Sequence, residues 1–514
     1  MRLHQTKRGR RLQPWSPATL HLVLLFAILI FTAGAVAAGA SEVAALLALK
    51  RALTVPPAAA AFFATWDDGP ASPCDFAGVT CDPAGAVTAV SVRGQGVAAA
   101  SVPFGDLCFA LPALATLSLP ENALAGGVAG VAACTELRDL TLAFNGFSGA
   151  APDLSPLTKL TTLNISSNRF AGAFPWASLA AAAAPGLAVL AIGDNPFLAR
   201  TDSFPDEVTK LTNLTVLYAS AANIAGVIPP GIGDLANLVD LELADNYLAG
   251  EIPPEISKLT ELEQLELYNN SLSGHLPAGF GKLTKLQYFD ASMNNLTGGL
   301  SELRSLTQLV ALQLFFNNFS GESLGSGSKF AFIDVSANSL SGPIPPDMCN
   351  HGTLLKLLML ENNFSGEIPA TYARCKTLLR IRVSKNSLSG QVPEGLWDLP
   401  NIIVFDLAGN HFTGGIGSGI GNAASLTHLI LAGNRFSGVI PPSLGNNATS
   451  LEVIDMSSNE ISGAIPSSIG NATFLDVIDL SSNAISGKIP RSIGKLAYLT
   501  RLYLAANQIS GSVS

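Results

Sequence analysis

The chain has 514 residues, 48% of them hydrophobic and only 13% charged, with 48 glycines and 31 prolines. That length buries a long core, while so many helix-breaking residues exclude a helical bundle and require regular punctuation. A formal charge of −9, from 38 acidic and 29 basic residues, argues against nucleic acid as a partner.

Residues 1–40 carry Arg2, Lys7, Arg8, Arg10 and Arg11 and no acid, then an apolar run from Leu22 to Phe31, then small residues from Thr32 to Ala40. This order reads as a secretory signal peptide cut after Ala38-Gly39-Ala40, with an uncleaved signal anchor as the alternative. Beyond it stand 24 basic and 38 acidic residues, a net −14. No later segment is apolar enough to span a membrane.

From there the pattern L-x-x-L-x-L-x-x-N-x-[LFI]-x-G recurs, with its Asn slot at seventeen positions from Asn122 to Asn507, mostly 23 to 25 residues apart. A degenerate unit with Val87, Val90, Val92 and Gln95 in the slot precedes them, so residues 87–514 hold about 17–18 leucine-rich repeats. The alternation in Leu241 and Leu243, or Leu265 and Leu267, is a short strand with one buried face. Each unit therefore adds one parallel strand to an α/β repeat solenoid whose sheet lines the concave face. The slot Asn lies where the chain leaves the strand, and its amide satisfies backbone groups that would each cost about 1–3 kcal/mol if buried unpaired. Ala222 alone lacks the amide, so a weaker ladder is expected there, and the 27-residue steps on either side of Asn195 imply bulging loops. The Ala180–Ala184 run reads as a helical turn on the convex side.

The second half of most units reads G-x-I-P, as in Gly226-Val-Ile228-Pro229, Gly250-Glu-Ile252-Pro253, Gly366-Glu-Ile368-Pro369 and Gly463-Ala-Ile465-Pro466. This resembles the plant extracellular class of leucine-rich repeat, which implies a second strand per turn and a superhelical twist. The 21-residue step from Asn317 to Asn338 loses Ile-Pro, so the twist is expected to be disturbed there. Ahead of the repeats, Ser41–Leu53 places Val43, Leu46, Leu47 and Leu53 at helical spacing, followed by Trp66 and Cys74-Asp-Phe-Ala-Gly78-Val-Thr-Cys81. Residues 41–86 thus resemble the helical N-terminal cap of plant receptor-like proteins, with Phe76 where Trp is usual, and the resemblance pairs Cys74 with Cys81. Six cysteines in a secreted chain favour three disulfides. Cys108 and Cys134, like Cys349 and Cys375, are 26 apart in nearly equal repeat registers, which brings each pair together across adjacent turns; free thiols are the other reading. Eight glycosylation sequons, at Asn164, Asn213, Asn269, Asn295, Asn318, Asn363, Asn447 and Asn471, all avoid the ladder slots.

The residues six, four, two and one before each slot are expected on the concave face. Between slots 222 and 317 they include Tyr218, Asp240, Glu242, Asp245, Glu266, Tyr268, Tyr288, Asp290, Phe315 and Phe316, an acidic and aromatic strip suited to an extended peptide, or else an ordinary solvated face. Arg380 and Arg382 lie two apart on one strand, about 6.6–7 Å, and two guanidinium forks at that spacing clamp a carboxylate. Lys356 precedes them laterally, Lys385 shares their strand, and Asp406 one repeat on offers Arg382 an ion pair as the alternative. The Arg-x-Arg placement resembles that of the HAESA-like and HAIKU-like peptide-hormone receptor kinases, which implies recognition of the C-terminal carboxylate of a small secreted peptide, at the cell surface or in the apoplast, with a short leucine-rich-repeat co-receptor. Gly417-Ser-Gly419-Ile-Gly421 is not a phosphate loop, because Gly417 takes the place of the Pro in Ile-Pro. Neither metal-ligand spacing nor a nucleophile constellation is present, so no metal, cofactor or catalysis is expected. The chain stops seven residues past its last slot without the family's C-terminal cap, so the expectation is a receptor kinase truncated before its membrane helix and serine/threonine kinase. A soluble inhibitor of microbial wall-degrading enzymes and a structural cell-wall protein are the rival readings.

Overall fold

The structure, a computed structural model, describes residues 41–67, 69, 72–183, 186–322 and 327–511; the signal-peptide reading of residues 1–40 and part of the short Asn317–Asn338 step lie outside them. The described residues form two compact units, one ending at Lys159 and the other beginning at Leu160. No helix among them is long and apolar enough to cross a membrane.

The first unit opens with a helix over residues 41–52. Leu46 and Leu49 supply its fully buried face, whereas Val43, Leu47 and Leu53 are only half-buried, so the apolar stripe sits one position round from where the sequence spacing put it. Two polar anchors fix this helix. The Lys50 ammonium donates to the carbonyls of Phe63 (2.9 Å) and Trp66 (2.5 Å), and the Glu42 carboxylate accepts from Val87 N–H at 3.2 Å, tying the helix to the strand Val87–Ser91. Trp66 stacks on Phe76 with centroids 5.4 Å apart and donates its indole N–H to Ala77 O. A Phe in the position usually held by Trp therefore still completes an aromatic plug. Val79–Cys81 pairs antiparallel with Val87–Ser91, on which parallel strands then build. Disulfides join Cys74 to Cys81 and Cys108 to Cys134, with Cα atoms 5.6 and 4.7 Å apart.

In the second unit each repeat contributes a three-residue strand whose middle residue is buried, except in the last strand, Arg501–Tyr503, where Leu502 is exposed, and whose outer two residues flank that core position. The register is uniform: Leu217, Leu241, Leu265 and Phe289 are successive partners in a parallel ladder that continues to Arg501–Tyr503. A second parallel sheet runs from Ala225–Val227 to Gln508–Ile509. Short 3-10 helices such as Pro254–Lys258, opened by a Pro whose missing N–H is no loss there, fill most of the remaining side. The Ala run falls in a true α-helix, Trp176–Ala183, which buries Leu179, Ala180 and Ala183. A disulfide joins Cys349 to Cys375, Cα atoms 5.8 Å apart.

The slot Asn makes this winding possible. Asn246 donates through Nδ2 to Ala219 O of the previous turn and to Leu243 O and Ala244 O of its own, while its Oδ1 accepts from Ile224 N–H. The residue before each slot turns the chain inward through a left-handed conformation, φ 53° at Asp245, 55° at Met293 and 53° at Lys385. Such a conformation costs a non-glycine residue about 1–2 kcal/mol and persists only where the surroundings enforce it. At Ala222 the gap is bridged: Asn246 Oδ1 also accepts from Ala222 N–H at 3.2 Å, and Asn223, itself left-handed, donates to Pro196 O and Leu198 O. Gln95 keeps a single donation, to Arg93 O. Gly417 is a packing glycine, since a Cβ there would lie 2.3 Å from Trp397 Cδ1.

Asn246 thus satisfies one more backbone N–H than Asn434, which accepts only from Phe412 N–H. Asn434→Ala is expected to destabilise the chain by about 1–3 kcal/mol and Asn246→Ala by about 1 kcal/mol more, read from urea midpoints; equal losses would show that the bridge at Ala222 carries no weight.

Candidate ligand-binding face

Two rows of side chains project from the strand face of the second unit. One takes the first residue of each strand, running Asp240, Gln264, Tyr288, Ala311, Phe332, Lys356, Arg380, Val404. The other takes the third, running Glu242, Glu266, Asp290, Gln313, Asp334, Leu358, Arg382, Asp406. The next strand residue but one was expected to face outward too. It is half-buried at Tyr268, Phe315, Ala408 and Ala432, whereas Ala244, Ser292 and Ser384 are buried, because the backbone is already turning toward the slot.

The acids of the second row are not equivalent. Asp290 Oδ1 accepts from the N–H of Ser292 (2.9 Å) and from its hydroxyl (2.6 Å), and Asp455 and Asp479 repeat this with Ser457 and Ser481. Asp334 accepts from Ser336 N–H at 3.0 Å. These aspartates cap their own turns. Glu242 and Glu266 have no such local duty, and Gln264 Nε2 links them, 3.3 Å from Glu242 Oε1 and 3.0 Å from Glu266 Oε1. Burial, reinforced by the charges of Asp240 and Glu266, pushes the Glu242 carboxyl up to about 8; burial lifts Asp240 to about 6 and also raises Glu266, where Asp290 and Asp240 add to it. Burial therefore favours the protonated form of Glu242 at neutral pH, and Asp240 Oδ1 beside it is buried without a hydrogen-bond partner.

The aromatic members sit against these acids. Tyr218 donates its hydroxyl to Asp194 Oδ2 at 2.5 Å. Tyr268 is pushed up to about 12 by burial and by Asp245, which also accepts from Asn269 Nδ2 at 2.6 Å. Tyr288 is 44% exposed, and half-buried Phe315 packs edge-on against Phe316, which is 60% exposed.

Farther along, Arg382 donates Nε–H to Asp406 Oδ2 at 3.2 Å. Asp406 is 3% exposed and also accepts from the Ser384 hydroxyl (2.9 Å) and Ala408 N–H (3.3 Å), so it is an anchor built to hold that guanidinium. Arg380 is exposed and, among the described residues, has no ion-pair partner. Lys356 has none either; its ammonium lies 5.0 Å over the Phe332 ring. Lys385 pairs with Glu361 at 2.6 Å on the rim. The strip and the arginines share one face but are not one pocket: six strand steps separate Glu242 from Arg382, about 29 Å, the reach of roughly nine extended residues. The sequence reading did not single out Phe332, Gln264 or Gln313. Phe332 becomes visible only when first-row positions are compared across repeats.

Seven sequon asparagines are exposed. Asn164 is half-buried on the strand face, its Oδ1 accepting from Ser166 N–H and, at 2.8 Å, from the Ser166 hydroxyl, as Asp290 does with Ser292. Asn295, Asn318 and Asn363 stand at the starts of second-sheet strands, and Asn318 Nδ2 donates to Asn295 Oδ1 at 2.6 Å.

Because Glu242 and Asp240 hold protons when folded that the unfolded chain has released, stability should fall as pH rises through the window from about 4.5 to about 8. Glu242→Gln keeps a donor to Asp240 and removes the titration. Its Tm should exceed that of the parent at pH 8 and match it near pH 5; a parent more stable at pH 8 than the variant would contradict this.

Residues 40–82 match the family model for the leucine rich repeat N-terminal domain, and residues 237–259, 261–283, 425–447, 450–472 and 474–496 match that for the leucine rich repeat. Receptor-like protein kinase 7 of Arabidopsis thaliana is 44% identical over 163 residues, 32% of this chain but only 16% of that relative. The ectodomain of the Arabidopsis receptor kinase HAESA, solved with an extended IDA peptide hormone, is 33% identical, covers 92% of this chain and 86% of its own, and superimposes with a TM-score of 0.73. HAESA in complex with IDA and the co-receptor SERK1 gives 31% identity, 92% and 91% coverage and a TM-score of 0.71.

Proposed function

The chain belongs to the plant leucine-rich-repeat receptor-kinase ectodomains, and from that premise we propose that it is the extracellular ligand-binding domain of a cell-surface receptor, taking a small secreted peptide along its strand face. The observation that carries this reading is the asymmetry of the arginine pair. Arg382 is held through Nε by the buried Asp406, which leaves its terminal N–H groups for a ligand, while Arg380 beside it has no carboxylate of its own. Two guanidinium groups, Arg382 anchored in place and Arg380 free beside it, complete their hydrogen bonding with a carboxylate brought from outside. The peptide's C-terminus docks there. Its upstream residues run toward Tyr288, Phe315 and Tyr268, whose rings offer area at low entropic cost, and toward Glu242 and Glu266, which accept from basic side chains. A short leucine-rich-repeat co-receptor joins the occupied complex, in keeping with what HAESA does with its own co-receptor.

The arginine substitutions are not equivalent in this reading. Arg380→Ala should leave Tm unchanged and weaken peptide binding by about 10–100-fold, the worth of a charged hydrogen-bonded pair. Arg382→Ala should weaken binding and also lower Tm, since it strands the Asp406 carboxylate in the interior. Affinity selection of random dodecapeptides on the secreted chain, as free acids and as C-terminal amides, reads both. Amides that bind as well as free acids would sink the carboxylate assignment.

A further inference from the structure

We propose that Lys356 is a second anion-binding element of the same face, selecting peptides whose last residue carries an acidic side chain in addition to its α-carboxylate. The proposal rests on the reading of Arg380 and Arg382 as the carboxylate site and names the ligand class that site prefers.

Lys356 and Arg380 are direct register partners on neighbouring parallel strands, about 4.8 Å apart at Cα, and Arg382 lies about 6.6–7 Å along the strand from Arg380 on the same face. Like charges placed directly opposite on paired strands repel and destabilise the sheet unless an anion lies between them. The nearby acids do not provide one. Asp406 is buried against Arg382, and Asp334, on the strand next to that of Lys356, stands in the other row opposite Leu358, its Oδ1 engaged by Ser336 N–H and its charge met by Arg382. Glu361 is taken by Lys385. In the row that holds Lys356 and Arg380 the flanking residues are Phe332 and Val404, so two adjacent cations are bracketed by apolar side chains.

A single α-carboxylate answers one of these charges. A terminal Asp or Glu brings two carboxylates a few bonds apart, matching two cations one strand spacing apart. The residue types fit this division: the planar forks of Arg380 and Arg382 suit the α-carboxylate, whereas the ammonium of Lys356 is a point charge that accepts a side-chain carboxylate from several directions. The Phe332 ring beneath it holds the ammonium on the face before any ligand arrives.

The test selects ligands on the secreted full chain from dodecapeptide libraries, random except for a last residue fixed as Asp, Glu, Asn or Lys, each as free acid and as amide. Free acids ending in Asp or Glu should be retained about tenfold better than those ending in Asn, with Lys poorest. Lys356→Met should abolish the Asp-over-Asn preference while keeping the binding of Asn-ending free acids, and Lys356→Glu should turn it toward Lys. Equal retention of Asp- and Asn-ending acids by the parent chain, or a Lys356→Met variant that loses both alike, overturns the role of Lys356 and leaves the carboxylate site standing. Amides retained as well as free acids, or no retention from any library, overturns both.

Discussion

The Asn ladder is the interaction on which the remaining structure depends. A turn of about 24 residues encloses too little apolar volume to fold alone, and it must bend the chain inward at the end of every strand, which the backbone resists. The residues that make the bend hold φ near +53°, in side chains as unlike as Asp245, Lys385 and Met293. Only Asp245 among them has any intrinsic leaning toward the conformation; Lys385 and Met293 have none. It is enforced because the following Asn ties two carbonyls of its own turn to a carbonyl and an N–H of the turn before, so each bend is fixed by its neighbour.

That repetition explains why a binding face can vary freely. Since the buried middle residue of each strand and the slot amide carry the fold, the two flanking residues are released from packing and form straight rows at strand spacing. Within those rows structural and functional charges separate by their partners. Asp290, Asp455 and Asp479 spend a carboxylate oxygen on the serine two residues later and so belong to the turn. Glu242, Glu266, Arg380 and Lys356 do not.

Most of the architecture was legible in the sequence because a period is a global signal: seventeen slots fix strand, turn and face at once. The arginine pair was legible for the same reason, since the period placed both residues outward on one strand. Three things were not. The cap helix is short and Ala-rich, so spacing alone did not tell Leu49 from Val43 as a buried position. That the inward turn hides Ala244 but leaves Tyr268, and equally Ala408, half-buried depends on a backbone path no pattern specifies. The bridging of Ala222 by Asn246 and Asn223 needs the three-dimensional position of two amides, whereas the sequence shows only a missing letter.

The two ends of the face differ in how their charges are neutralised, and this sets a direction. A formal count makes the strip around Glu242 strongly negative, yet burial keeps a proton on it near neutral pH and Gln264 spans its glutamates, so it compensates itself internally. The basic end has no such internal device. Arg382 has Asp406, but Arg380 and Lys356 are left to the solvent. In an acidic chain this pair of adjacent cations on one strand face favours an incoming anion. For the proposed peptide ligand, this asymmetry favours entry by the anionic end at Arg380, with a basic residue upstream replacing the proton at Glu242 only after the chain is aligned, so that one strand direction of binding is favoured over the reverse.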